Sequence, residues 1–342
     1  MLKENIKIKK NIRTSLIIKK IKSNFFIIFL RSIRTALGTA ITWKKNRKDI
    51  SLFDLYDFFI IRSIFGLTYF RNKIGYRKTN EAINSNNFKH SIKKNKILGD
   101  LNEKGFSYGF SLKNEQKKNL LTEILKNLKS SKIIFKDKSV EEKEIVFVDK
   151  NDIDQYLTKN PVHMIKSSIN LNKTNLLNKI FMDDFFIKLA KDYLNTDKLT
   201  ILPYFYISAA NNDLVNNNSS NINKLMSISA QEYHFDVDFK KFFKIFVYFS
   251  DVLEETNGSH IYIPKTHTQK KMAHIITSRF TTSDIEENYT PKFVFLGEAG
   301  TTFIVDTFGI HRGSPVIKDT RLAFILEFGK GHFPVSKNCK YI

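Results

Sequence analysis

The chain has 342 residues, 42% of them hydrophobic and 13% aromatic with 31 Phe, enough for one large domain or two modest ones around a packed core. A single cysteine, Cys339, excludes an intramolecular disulfide framework and fits a reducing, cytoplasmic setting. The formal net charge of +22 is uneven: residues 1–97 hold 23 Lys/Arg against 5 Asp/Glu, while residues 98–342 hold 33 against 29.

Residues 1–97 read as a basic helical extension. Its segments "TSLIIKKIKSNFFIIFLRSIRTAL" and "SLFDLYDFFIIRSIFGLTYF" mix apolar clusters with cations, and "EAINSNNFKHSIKKNK" has the composition of a linker. A bilayer span wants about 20 nearly uncharged residues. The longest apolar run here, Ser23 to Leu30, has eight, so neither a transmembrane helix nor a secretory signal is expected. Three roles stay open for the extension: peripheral contact with an anionic membrane through basic amphipathic helices, a helical cap with solvated charges, and a nucleic-acid arm. Nucleic acid is the least expected of the three, and a charge run alone does not choose.

From Leu98 the texture changes, which sets the expected boundary between the extension (1–97) and a second domain (98–342). "LGDLNEKGFSYGFSLK" predicts a short strand. A helix follows from about Lys113, with Leu120, Leu121, Ile124, Leu125 and Leu128 on its apolar face. "KIFMDDFFIKLAKDYLN" (179–195) predicts a second amphipathic helix. Beyond Leu199 the pattern turns to β. "LTILPYFYISAA" leads into an Asn/Ser-rich loop, "NNDLVNNNSSNINK", followed by "LMSISAQEYHFD", "KIFVYFSDV", "SHIYIP", "KFVFL", "TTFIVD" and "RLAFILEFG". Each is short, rich in β-branched and aromatic residues, and bounded by Gly, Asn, Asp or Pro. The expected class is α+β, with a jelly-roll core of two antiparallel sheets and flanking helices.

Within "YHFDVD", His234 and Asp236 are two apart, so a strand presents both on one face. Alone, the pair reads most simply as a hydrogen-bonded surface couple. Three features shift that reading. His311 follows the strand "TTFIVD" and is placed to enter from a facing strand. Arg321 heads the last strand, ten residues later. The segment "SDVLEETNGSHIYIPKTHT" connects the two halves. Two His and one carboxylate make a facial iron triad with open coordination positions, and an arginine nearby suits bidentate capture of a carboxylate.

With these motifs in order, residues 98–332 resemble the phytanoyl-CoA dioxygenase family of Fe(II)- and 2-oxoglutarate-dependent oxygenases. The matching stretches are "EKGFSYGFSL", "YHFD", "ETNGSHIYIPKTH" and "GEAGTTFIVDTFGIHRGSP…TR". Departures are Pro264-Lys265-Thr266-His267 for the family's Pro-Gly-Ser-His, and Ala299-Gly300-Thr301 for its Gly-Asp. The resemblance implies that His234, Asp236 and His311 bind Fe(II), and that Arg321 pairs with the distal carboxylate of 2-oxoglutarate. It implies more weakly that Ser314 adds a hydrogen bond there. O2 would be the second co-substrate, with succinate and CO2 as co-products and hydroxylation of a C–H bond in a small-molecule or lipid-like substrate as the outcome. The carboxylate of Asp236 separates this pattern from related halogenases, which lack it.

The other polar candidates carry plainer expectations. Asp238 reads as structural, His267 as a brace of its loop, and His260 and His274 as solvent-facing or satisfied in the core. Tyr204 and Tyr206 read as pocket lining or core in equal measure. Two rival functions remain: a jelly-roll binding or scaffold protein with a vestigial site, and a nucleic-acid-directed oxygenase tethered by residues 1–97.

Overall fold

In the major sheet each long strand turns one face to a layer of helices and the other to an internal cavity, and that alternation organises the molecule. The computed structural model describes residues 74–77, 84–85, 87–89, 92–211, 220–271, 274, 279–331 and 339–342. The chain divides into two units, residues 1–73 with 270–278 and residues 74–269 with 279–342. The architecture below is that of the second unit. The basic segments before residue 74, with the membrane, nucleic-acid and cap readings attached to them, lie outside the described residues. Among the described residues no helix is long and apolar enough to cross a membrane.

A small antiparallel pair, β1 (Asn84–Ser85) and β2 (Ile92–Lys93), precedes helix α1 (Lys94–Glu103). Then come β3 (Phe106–Ser111), α2 (Asn114–Lys126), β4 (Leu128–Phe135), β5 (Val140–Glu144), α3 (Lys150–Lys159) and β6 (Val162–Ile169). Asp149 starts α3 by accepting bonds from the amides of Asn151 and Asp152 at 2.8 and 3.2 Å. The single helix expected over 179–195 is instead two, α4 (Asn175–Phe181) and α5 (Asp184–Leu194). The break falls at Asp183, whose carboxylate caps α5 at the Phe186 amide, 3.1 Å away. Asn195 ends α5 in the left-handed region, with φ of 50°.

β7 (Leu199–Ser208) is followed by α6 (Ser220–Ile228), β8 (Tyr233–His234), β9 (Phe242–Tyr248), β10 (His260–Tyr262), β11 (Arg279–Phe280) and α7 (Thr282–Glu286). The last strands are β12 (Phe293–Phe295), β13 (Thr301–Val305), β14 (His311–Gly313), β15 (Arg321–Lys330) and β16 (Lys340–Tyr341). Two expectations are corrected here. The end of the Asn/Ser-rich loop and "LMSI" form helix α6, not loop and strand, because Leu225 and Ile228, three apart, share a helical face that packs on Ile134 and Met164. Only Tyr233 and His234 of "AQEYHFD" are strand.

Two antiparallel sheets result. The minor sheet runs β11-β8-β14-β10-β12, and the major one β3-β13-β9-β15-β7-β6-β4-β5, with β16 beside β7. This is the expected jelly roll. Phe205 and Ile207 of β7, Phe243, Ile245 and Val247 of β9, and Phe324, Leu326 and Phe328 of β15 join one buried cluster with Leu98, Leu101, Phe181, Phe186 and Leu189 of the helices. Burying a side chain of this size contributes roughly 1.5–3 kcal/mol. Lys94 and Asp192 bridge α1 to α5 beneath that layer at 2.6 Å, both almost sealed from water.

Candidate metal centre

The residues between those core positions face inward. From β7 they are Tyr204 and Tyr206, from β9 Lys244, Phe246 and Tyr248, and from β15 Arg321, Ala323, Ile325 and Glu327. With His234, His260 and His311 of the minor sheet they line a cavity of about 280 Å³.

His234 and His311 were expected on facing strands. They are instead direct cross-strand partners, β8 against β14, with ring centroids 4.4 Å apart. Asp236 lies just past the end of β8, its amide bonded to the carbonyl of Thr307 at 2.8 Å. Donor atoms of His234, Asp236 and His311 all fall within 4.8 Å of one another. The Nε2 atoms of His234 and His311 are 3.8 and 3.6 Å from the two Asp236 oxygens.

The tautomers follow from the second ring nitrogens. His234 Nδ1 is 2.8 Å from the Glu232 carbonyl and His311 Nδ1 is 2.9 Å from that of Gly309. Each Nδ1 therefore donates, and each Nε2 offers a lone pair inward, as metal-binding histidines require. Burial, with His234 as positive neighbour, pushes His311 down to about 3. Burial likewise lowers His234. Burial alone would raise Asp236, but the Lys244 ammonium and the two histidines hold it well below the carboxylate range. Two neutral imidazoles and an ionised carboxylate fit a divalent metal of the iron type.

Lys244 is the feature sequence reasoning missed. Its Nζ lies 2.8 Å from Asp236 Oδ2, 3.1 Å from Asp238 and 3.5 Å from Glu327. Glu327, directly opposite Lys244 in the β9–β15 ladder, keeps a buried oxygen with no partner. Lys244 ties up one oxygen of Asp236 and so favours a single metal-facing oxygen from that residue.

Arg321 opens the floor of the cavity from β15. One terminal nitrogen donates to the carbonyl of Gly258 and the other to Ser208 Oγ at 3.1 Å, while Nε is buried without a partner. No carboxylate among the described residues pairs with it. A guanidinium with a buried, unpartnered Nε and no carboxylate beside it attracts an anion. Gly258 makes the approach feasible: its φ is +82°, and a Cβ there would strike Val316 Cγ2 and sit 3.4 Å from Arg321 Cδ.

Ser314 is buried and its hydroxyl pairs with Ser259 Oγ at 3.2 Å. Ser208, absent from the sequence reading, accepts from Arg321. His267 braces its loop on the Asn102 carbonyl at 3.2 Å. His260 is buried beside His311, with centroids 5.2 Å apart, and its Nε2 has no partner.

No family model and no curated protein matches the chain. Solved structures similar to it include SnoN, described as a non-heme alpha ketoglutarate dependent epimerase from nogalamycin biosynthesis, at 10% identity and a TM-score of 0.44, over 69% of this chain and 83% of that one. HygX from Streptomyces hygroscopicus, solved with nickel and 2-oxoglutarate bound, matches at 11% identity and a TM-score of 0.44, over 69% and 86%. AviO1 from Streptomyces viridochromogenes Tue57 matches at 11% identity and a TM-score of 0.42, over 72% and 99%.

Proposed function

We propose that the protein is an Fe(II)- and 2-oxoglutarate-dependent oxygenase, with His234, Asp236 and His311 as metal ligands and Arg321 as the anchor for the distal carboxylate of 2-oxoglutarate. The observation that carries this reading is one cavity holding both a preset His-Asp-His donor set and a buried guanidinium without a counter-ion. Bound iron would supply the oxidising chemistry, coupling decarboxylation of 2-oxoglutarate by O2 to oxidation of a substrate C–H bond and releasing succinate and CO2. The chain's own groups bind and orient. Glu232 and Gly309 fix the two rings, Lys244 holds Asp236, and Ser208 and Gly258 aim Arg321. Aromatic side chains on the inner face, Phe246 and Tyr248 among them, keep water from the same space.

Hydroxylation of a small-molecule or lipid-like compound is the reaction we assign, within the phytanoyl-CoA dioxygenase-like pattern of motifs. The test has two readouts. Zn(II), an inert substitute, should raise the melting temperature of the wild type and not that of Asp236→Ala. Wild-type protein with Fe(II) should turn 2-oxoglutarate into succinate, slowly even without substrate. Equal metal protection in the two proteins would remove the proposal.

A further inference from the structure

The charges around the cavity sort into two groups. Its three acidic side chains, Asp236, Asp238 and Glu327, all stand within 3.5 Å of one ammonium, that of Lys244, and burial pushes Glu327 well above the ordinary carboxyl value. The cations towards its outside have no such match. Lys166 of β6 lies where the cavity meets a second hollow of about 360 Å³ and lines both. Its Nζ is 4.3 Å from the ring centroid of Tyr204 and 5.4 Å from that of Tyr206. No carboxylate among the described residues pairs with it. Burial works against its charge, yet Tyr206 beside it holds Lys166 above the ordinary lysine value.

Lys132 of β4 is its direct cross-strand partner, on the same sheet face and lining the second hollow. The residue on the far side of Lys132, Glu142, is exposed and makes no ion pair with it. Arg279, from the opposite sheet, also lines the cavity without a carboxylate partner among the described residues. Like charges directly opposite in a ladder disfavour the sheet unless something lies between them. An ammonium partly out of water, with two tyrosines beside it and no carboxylate within ion-pair distance, has lost hydration and gained no direct counter-ion.

We propose that Lys166, with Lys132 opposite it in the ladder, anchors an anionic group of the substrate (a phosphate, sulfate or carboxylate) where the two hollows meet, and so selects which compounds reach the metal centre. That the anion belongs to a substrate rests on the oxygenase reading; that this wall binds an anion does not. The site differs from the one at Arg321. Lys166 and Arg321 stand on β6 and β15 with β7 between them, a separation of about 10 Å across the ladder.

The experiment uses the full chain, metal-free. Inorganic phosphate, sulfate and acetate are each titrated at constant ionic strength set with chloride, and the melting temperature is read. At least one of the three should stabilise the wild type beyond chloride. Lys166→Met should weaken that anion by about tenfold, and Lys166→Arg should keep it. The part of the stabilisation that Lys166→Met removes should persist in Arg321→Met, which separates this wall from the 2-oxoglutarate anchor. Protection by none of the three anions, or equal affinity in wild type and Lys166→Met, overturns the proposal. Loss of the effect in Arg321→Met but not in Lys166→Met also overturns it. Succinate formation by the wild type with Fe(II), measured separately, decides the oxygenase reading: its absence would remove "substrate" while leaving the anion site standing.

Discussion

Replacing Arg321 by Met tests the co-substrate anchor with a defined magnitude. In the protein two of the guanidinium nitrogens are committed to Gly258 and Ser208, and Nε remains buried without a partner. A carboxylate docking on that head gains charge-assisted hydrogen bonds of about 1.5–3 kcal/mol each. Losing two at the lower figure removes about 3 kcal/mol, or a little over a hundredfold in Kd. The assay is calorimetric titration of 2-oxoglutarate into Zn(II)-loaded wild type and variant, with Zn(II) affinity measured first. Zn(II) affinity should hold, since Arg321 is not among the three clustered donors. Arg321→Lys should fall between the two, keeping a charge but losing the forked geometry. Binding of 2-oxoglutarate by Arg321→Met within about threefold of wild type, a difference worth under 1 kcal/mol, would show that the carboxylate docks elsewhere.

Further expectations come from other parts of the molecule. Lys244→Met leaves the Asp236 carboxylate without its cation, and should destabilise the metal-free protein by about 3–5 kcal/mol; a Lys244→Met/Asp236→Asn pair that recovers nothing in denaturant melts would refute the coupling. Gly258→Ala forces a Cβ into the left-handed region at φ +82° against Val316, at a cost of about 1–3 kcal/mol. Exposed Gly99 in α1 has open space around it, so Gly99→Ala should stabilise by about 0.5–1 kcal/mol; equal losses at both positions would contradict this contrast. His163 is fully buried beside Ser229 and, chiefly by burial, is pushed down to about 4. Its unfolded value is about 6.5, so on acidification the unfolded chain takes up the proton first. The stability it contributes is complete above about pH 6.5 and falls towards pH 4 by about 3 kcal/mol at most. His163→Gln should flatten the melting-temperature profile in that window by one proton's worth, and an unchanged slope would show that His163 titrates normally.

Much of this was legible where alternation is strict. In "RLAFILEF" the even positions Leu322, Phe324, Leu326 and Phe328 are core and Arg321 begins the opposite face, because a strand has period two. The motif residues His234, Asp236, His311 and Arg321 were also readable, and the structure brings all four to one cavity. Their arrangement was not. His234 and His311 are 77 positions apart, and whether they face or adjoin one another depends on strand order, which local pattern does not encode. Lys244 and Glu327 escaped notice for another reason: a charge in an alternating strand reads as a solvent face, and here that face is internal. The α6 segment failed through ambiguity, since a few apolar residues in "LMSISAQEY" suit either period until Leu225 and Ile228 find Ile134 and Met164.

The division of labour along β7, β9 and β15 has a corollary. Residues that secure the helices and residues that shape the chamber are neighbours in the chain but never the same residue. Changing a side chain on the chamber side removes nothing from the helix-packed layer, so substitutions there, other than at the ion pairs of Lys244, reshape the space for a ligand without opening the core.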